Sequence, residues 1–182
     1  MPENIARAPS TSADDLPPIH CALTRSAGAS ARPPGLHDLI EHILDRYHET
    51  HRREFPEAIA LARKVEAVHA EAPERPSGLA DHLSLMLDDL EGHQRREEKV
   101  LFPMLLAGGG PMARFPIGRM MAEHRDVDEQ LARLRALTRD FTSPSGACAT
   151  WQALARLCAK LDADLREHMR IENEEVFAPF LD

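Results

Sequence analysis

His93-Gln94-Arg95-Arg96-Glu97 and His168-Met169-Arg170-Ile171-Glu172 repeat one pattern within the chain. In each, a His is followed four residues later by a Glu, and eight and nine residues later by an apolar residue and Phe, Leu101-Phe102 and Val176-Phe177. A Pro closes both segments, Pro103 and Pro179. On an α-helix, residues four apart share a face, about one turn or ~6 Å from one another. A His and a Glu so placed can both reach one metal centre, with the Glu bridging to a second ion. A helix bundle that holds two irons needs such a pair from two helices and further His from the other two. One pair alone arises by chance on surface helices rich in Glu and His; two with matching downstream sequence are a strong signal.

Outward from these segments the chain reads as four helices. Leu36, Leu39, Ile40, Ile43, Leu44 and Tyr47 recur at helical spacing. Pro56 predicts a kink in this first helix, which resumes from Ile59 to Val68. Ala72-Pro73-Glu74-Arg75-Pro76 is a breaker, and Ser77 can cap a second helix running through Leu79, Leu83, Met86, Leu87 and Leu90 to about Leu106. Gly108-Gly109-Gly110-Pro111 ends it. The third helix covers roughly Ile117 to Asp140, stopped near Thr142-Ser143-Pro144, and the fourth runs from about Ala147 to Phe180. No alternating strand pattern occurs. The expected fold is therefore all-α, an antiparallel up-down-up-down four-helix bundle over residues 36–182. Residues 1–35, rich in Pro, Ala and Ser with no apolar period, read as a flexible tail.

The bulk properties agree. Of the 182 residues 43% are apolar, mostly Leu and Ala, which favours helix. A formal charge of -8 argues against nucleic acid or an anionic membrane as the main partner, and suits a site that must offset a pair of metal ions. No apolar run approaches ~18 residues, so no transmembrane helix is expected. The N-terminus lacks a basic region followed by an apolar core, which argues against a signal peptide. Three scattered Cys form neither a disulfide framework nor a zinc site, so a cytoplasmic, reducing compartment is the expectation.

Antiparallel packing places the start of the first helix beside the end of the second, the start of the third and the end of the fourth. Counted from that shared end, His48 is about 12 residues in, His124 about 10, and each of His93, Glu97, His168 and Glu172 about 10 to 14. At ~1.5 Å per residue all six fall in one slab roughly 15–20 Å deep, a match that the His-x-x-x-Glu spacing does not impose. The same arithmetic sets His69 roughly 30 Å from His48 and His82 about 16 Å from His93, while His42 points away from His48. Those three read as ordinary polar or interface residues. Four imidazoles with two bridging carboxylates fit iron or manganese. Zinc is usually content with four ligands, so six imply two ions.

These residues resemble a known family. The four-helix His-Glu pattern is similar to the hemerythrin-like, or HHE, domain. Within that group, Arg46-Tyr47-His48-Glu49-Thr50-His51-Arg52, Lys64-Val65-Glu66-Ala67-Val68-His69, Glu97-Glu98-Lys99-Val100-Leu101-Phe102-Pro103-Met104 and Cys148-Ala149-Thr150-Trp151 resemble the RIC proteins. These are di-iron proteins implicated in repair of iron–sulfur clusters damaged by nitric oxide and oxidants. The resemblance, over about 36–182, implies two non-haem iron ions, oxo-bridged, held by His48, His93, His124 and His168 with Glu97 and Glu172 as bridges, the six that spacing selects. RIC proteins commonly carry an N-terminal domain with an adjacent Cys pair. Here that region is short, Pro-rich and holds only Cys21, so the expectation is that this domain is lacking.

The surrounding residues carry further expectations. His51 reads as solvated, with a place behind a ligand as the alternative. Glu123 either orients a ligand or is a solvated acid. Leu101-Phe102 and Val176-Phe177 should form core and the dry wall of the metal pocket. Cys148 and Cys158 read as buried small apolar residues, and Cys21 as an uninvolved thiol. The extra acids Glu98, Glu174 and Glu175 read as a solvated face. Three function classes follow: a stress-response protein that donates iron or does redox chemistry with nitric oxide or dioxygen in support of damaged iron–sulfur proteins, a carrier or sensor that binds those gases reversibly, or a purely structural bundle, which the donor pattern disfavours. The first two need the same open coordination position. A dry wall would favour a stable gas adduct, and a proton-delivering neighbour such as Glu123 would favour turnover. Six ligands are fewer than the seven of respiratory hemerythrins, which favours oxidation by dioxygen over a long-lived adduct, and labile iron.

Overall fold

The computed structural model describes residues 35–181, and all but the last residue of the expected tail lies outside them. The described residues form four long helices with no β-strand among them. Helix α1 spans 36–68, α2 spans 79–106, α3 is Arg114–Thr138, and α4 spans 149–177 with a closing 3-10 turn at Ala178–Phe180. The four-helix architecture read from periodicity is the one observed.

Three boundaries differ from the expectation. Helix α1 runs unbroken from Glu49 to Val68 through Pro56. A mid-helix Pro costs about 3 kcal/mol, and fully buried Phe55 and Ala58 on either side of it offset that cost. Ser77 does not cap α2. Gly78 takes the N-cap position with a left-handed φ of 80°, Ser77 Oγ accepts a bond from Arg75 Nε, and Glu66 of α1 accepts the free amide of Ala80 at 3.3 Å. Helix α3 begins at Arg114, ahead of Ile117, because Pro116 in a first turn gives up no hydrogen bond. It stops at Thr138, where Arg139, Asp140 and Phe141 all turn left-handed.

The core falls into two parts. One holds Phe55, Ala58, Ala62, Leu79, Leu83, Leu131, Leu134, Trp151 and Leu161. The other holds Ile40, Ile43, Tyr47, Leu101, Phe102, Leu105, Ile117, Val176 and Phe177. Between them lies a layer of buried polar side chains.

At that layer three of the four helices widen into a π-helical turn: Leu44–His48 in α1, Glu97–Leu101 in α2 and Glu172–Phe177 in α4. The burial pattern follows the wider turn. Beyond Ile43 both Tyr47 and His48 are buried, beyond Glu97 both Leu101 and Phe102, and beyond Glu172 both Val176 and Phe177, so a fifth residue joins the fourth that a regular helix would bring round. A π turn accommodates one extra residue, so a donor and the apolar side chain beyond it both face the interior. Regular α spacing conceals this.

Candidate metal centre

All six expected donors are buried in the polar layer: His48, Glu97 and Glu172 completely, and His93, His124 and His168 to within a few per cent. They sort into two sets whose donor atoms lie within 4.8 Å of one another, His48, His168, Glu97 and Glu172, and His93, His124, Glu97 and Glu172. Both carboxylates belong to both sets. Their oxygens divide accordingly: Glu97 Oε1 is 3.2 Å from His93 Nε2 and Oε2 is 3.5 Å from His48 Nε2. Glu172 Oε1 lies 2.9 Å from His168 Nε2, and Oε2 3.2 Å from His124 Nε2. Each set thus offers two imidazole nitrogens and one oxygen from each of two carboxylates.

Both oxygens of Glu97 and Oε2 of Glu172 are buried without a hydrogen bond, although imidazole nitrogens stand close. A buried carboxylate oxygen with no donor is costly, and a cation between the Nε2 atoms would satisfy it. The donor chemistry, imidazole and carboxylate without thiolate, suits iron or manganese. The residues present therefore fit a pair of such ions.

Behind the imidazoles, a second ring of partners fixes their orientation. With Nε2 turned inward, each Nδ1–H points outward, and three of the four meet an acceptor. His48 Nδ1 donates to Glu98 at 2.8 Å, His93 Nδ1 to Glu123 at 2.9 Å and His124 Nδ1 to Asn173 Oδ1 at 2.9 Å. Such partners set the tautomer and raise ligand basicity. Glu98 is thus a working acid, contrary to its expected place on a solvated face, and it is steadied by Arg52. Glu123 takes the orienting role of its two expected ones, gripped by Arg96 at 2.6 Å and Arg119 at 2.9 Å. Burial opposes its charge, but Arg119, Arg96 and His93 more than compensate and hold its carboxyl down at about 2. At neutral pH it is an acceptor and a poor proton donor, which removes the proton-delivery argument for turnover. Glu174 and Glu175 stay on the surface, paired with Arg170, as expected.

Aromatic rings enclose the donors. Phe102 stacks on His48 and Phe177 on His124, with ring centroids 6.1 Å apart in both cases, so these two form the expected dry wall. Tyr47 lies on His168 at 5.3 Å, nearly parallel, a contact that sequence reasoning missed. Its only signal was the aromatic residue immediately preceding His48. His51 is a correction. It is fully buried rather than solvated, bonded through Nδ1 to Gln94, with its ring 5.6 Å from that of His168. Burial, reinforced by His168 and His48, holds its pKa well below the usual imidazole value, so it stays neutral. It is absent from both donor sets.

In the metal-free protein, burial disfavours the charged form of His93, but Glu97, Glu172 and Glu123 together raise its pKa to about 9. Glu172 is held well below the ordinary carboxyl range: burial works against its charge, and His168 and His124 outweigh it. A cavity of about 240 Å³, lined by Asp89, His93, Arg96, Glu123, Asp126, Val127 and Gln130, opens behind His93 on the side of its Glu123 partner. His42 and His69 take no part, and His82 is buried with Nε2 donating to the Gln130 carbonyl at 2.9 Å. Cys158 is buried as expected, whereas Cys148 is exposed, contrary to the expectation.

The family profile of the Hemerythrin HHE cation binding domain matches residues 39–179. The chain is 44% identical over 142 residues to a protein of Dickeya chrysanthemi named iron-sulfur cluster repair protein YtfE, covering 78% of this chain and 64% of that one. It is 42% identical over 161 residues to the protein of that name from Musicola paradisiaca, covering 84% and 72%. For the Yersinia pseudotuberculosis protein, also so named, the identity is 45% over 142 residues, covering 78% and 64%. Against the first of these relatives the chain therefore spans a little under two thirds of the full length.

Proposed function

Since this chain belongs to the hemerythrin HHE cation-binding family, which implies a di-iron centre, we propose that it is a stress-response di-iron protein supporting repair of iron–sulfur clusters damaged by nitric oxide or oxidants. In this reading His48, His93, His124 and His168 are iron ligands, Glu97 and Glu172 bridge the ions, and 36–182 is the di-iron domain behind a 1–35 tail. The observation that carries it is the pair of four-donor sets sharing two buried carboxylates.

Bound there, a ferrous pair supplies one-electron redox chemistry and open coordination positions for a diatomic ligand such as nitric oxide or dioxygen. The chain's own residues do the rest. Four donors per ion fall short of a full shell, leaving room for a ligand and making the iron easier to release. Glu98, Glu123 and Asn173 keep the imidazoles in the metal-binding tautomer. Phe102, Phe177 and Tyr47 keep water from the donors they cover. Damaged iron–sulfur proteins are the proposed clients, and the cytoplasm the proposed location, supported by relatives named for cluster repair and by Cys usage that suits a reducing compartment. Among the described residues, no helix is long and apolar enough to cross a membrane.

The aromatic wall favours a second reading, a reversible gas carrier or sensor. One experiment separates the two. The di-ferrous protein is exposed anaerobically to nitric oxide, and separately to dioxygen, while spectrum and products are followed. Repair function predicts that nitric oxide binds and that dioxygen oxidises the pair without a long-lived adduct. Repeated release of unchanged dioxygen would make this a carrier.

A further inference from the structure

At the bundle end away from the six donors, the last turn of α1 and the first of α4 bring a thiol and an imidazole together. His69 Nε2 lies 3.2 Å from Cys148 Sγ, across 79 residues of sequence. Cys148 is exposed and occupies the N-cap position of the Ala149–Ile171 run, with extended backbone at φ -64° and ψ 161°. There the backbone of Trp151 and Thr150 at the helix start favours the thiolate form of its sulfur. The His69 ring rests against the Trp151 indole, centroids 4.9 Å apart, which holds the imidazole toward the thiol. Beside the pair opens a hollow of about 50 Å³, almost wholly apolar, lined by Lys64, Val65, Val68, His69, Cys148 and Thr150. The site is therefore a nucleophile, a base within hydrogen-bond reach, a third group orienting the base, and a small apolar seat with one cation at its wall. The metal centre uses none of these residues.

We propose that Cys148 and His69 form a thiol–imidazole pair that undergoes exchange with small anionic disulfides of the glutathione type. The thiol proton passes to His69 Nε2, and the sulfur attacks one sulfur of the bound disulfide. The disulfide S–S bond breaks as a mixed disulfide forms at Cys148. The departing thiolate recovers the proton from His69, so one disulfide is exchanged for another and no outside oxidant enters. The hollow seats a short methylene arm next to the sulfur, and Lys64 faces the carboxylates of the reagent. The Trp151 amide first and His69 second lower the thiol's pKa. His69 and Lys64 are the titratable groups lining the site, besides the thiol itself. Cys158 is the contrast within the same helix: burial pushes its thiol up to about 12 and leaves it inert.

The test uses the full-length, iron-loaded protein with glutathione disulfide as probe, following thiol release with time and mapping the modified Cys by peptide mass analysis. One fast thiol is expected, mapping to Cys148 and lost in Cys148→Ser. In His69→Ala the midpoint of the rate–pH curve should rise by about one unit. The rate at pH 7 should fall only about threefold, because a higher pKa reduces the thiolate fraction roughly tenfold but raises intrinsic nucleophilicity. Lys64→Ala should slow glutathione disulfide but not uncharged hydroxyethyl disulfide. Iron content should match the parent in every variant, which certifies the fold. The proposal is overturned if the fast thiol maps to Cys21 or Cys158, if Cys148 reacts no faster than a cysteine in an unstructured peptide, or if His69→Ala leaves rate and midpoint unchanged.

Discussion

The half of the bundle around Phe55, Leu83, Leu131 and Leu161 and the half around Ile43, Phe102, Ile117 and Phe177 are both dry, yet their helices are built differently. Through the first, the chain keeps regular α spacing, and Leu and Ala with Phe55 and Trp151 fill most of the inside. Bordering the second, α1, α2 and α4 each widen by a π turn at the donor layer. The difference shows what a buried metal layer demands of a helix. A regular helix offers one narrow face, and a donor placed on it displaces an apolar side chain. With one wide turn the helix presents both, which is how Glu97 and Phe102, or Glu172 and Phe177, are buried together. The first half holds the bundle together; the second trades regularity for a charged layer that a metal pair must complete.

The sharpest way to break this comparison is to remove a shared carboxylate. Glu97→Ala or Glu172→Ala withdraws a donor from both sets at once, so each should lose both irons, whereas His69→Ala should lose none. Metal analysis per chain and the melting temperature decide it. Binding of the ions should raise the parent's melting point markedly, and the carboxylate variants should melt like the stripped parent. Equal iron loss from His69→Ala would refute the separation of the two halves.

A change confined to the regular half should do the reverse. Leu83 is fully buried, and Leu83→Ala should cost about 2–5 kcal/mol of stability while leaving iron content intact. Denaturant unfolding of the metal-free protein measures the first and metal analysis the second. Loss of iron in step with stability would mean that the halves are coupled.

The smallest effect is the pH response of the metal-free protein. His93 has its pKa raised to about 9, so its stabilising contribution is complete below about 6.5 and is lost as pH climbs through 9. Glu172 and Glu123 have lowered values, so theirs is present above about 4.5 and is lost on acidification. His51, held neutral, subtracts stability only as pH falls below about 6.5. The melting temperature with chelator present should therefore fall between about pH 6.5 and 9. Metal affinity should rise over the same interval, because His93 must shed its proton to bind. A melting temperature that rises across that interval would show that the carboxylates do not charge His93.

Much of this was legible in one dimension. The repeated His-x-x-x-Glu segments, together with the depth at which His48 and His124 fall, pick out the six residues that meet in the buried layer, because distance along a helix is proportional to residue number. The four helices follow from the period of Leu and Ala and from Pro and Gly at the breaks. What depends on which neighbour a side chain meets was not legible. His51 is i+3 from His48, a spacing that serves a solvated face as well as a buried one, and only the packing of α2 and α4 against α1 encloses it. Glu98 and Glu97 are adjacent acids, and nothing local says that one faces the metal layer while the other bonds the back of His48. Cys148 looked like core filler until its place at the start of α4 set it in solvent against His69.

The chain by itself thus determined the architecture, the six candidate donors and the level at which they meet, since each rests on periodicity and counting. Only the tertiary structure decided that both carboxylates belong to both four-residue groups, that three helices widen at that layer, and that Glu98, Glu123 and Asn173 orient the imidazoles. Those outcomes arise where four helices close on a shared layer, and burial there leaves each polar atom to find a partner on another helix.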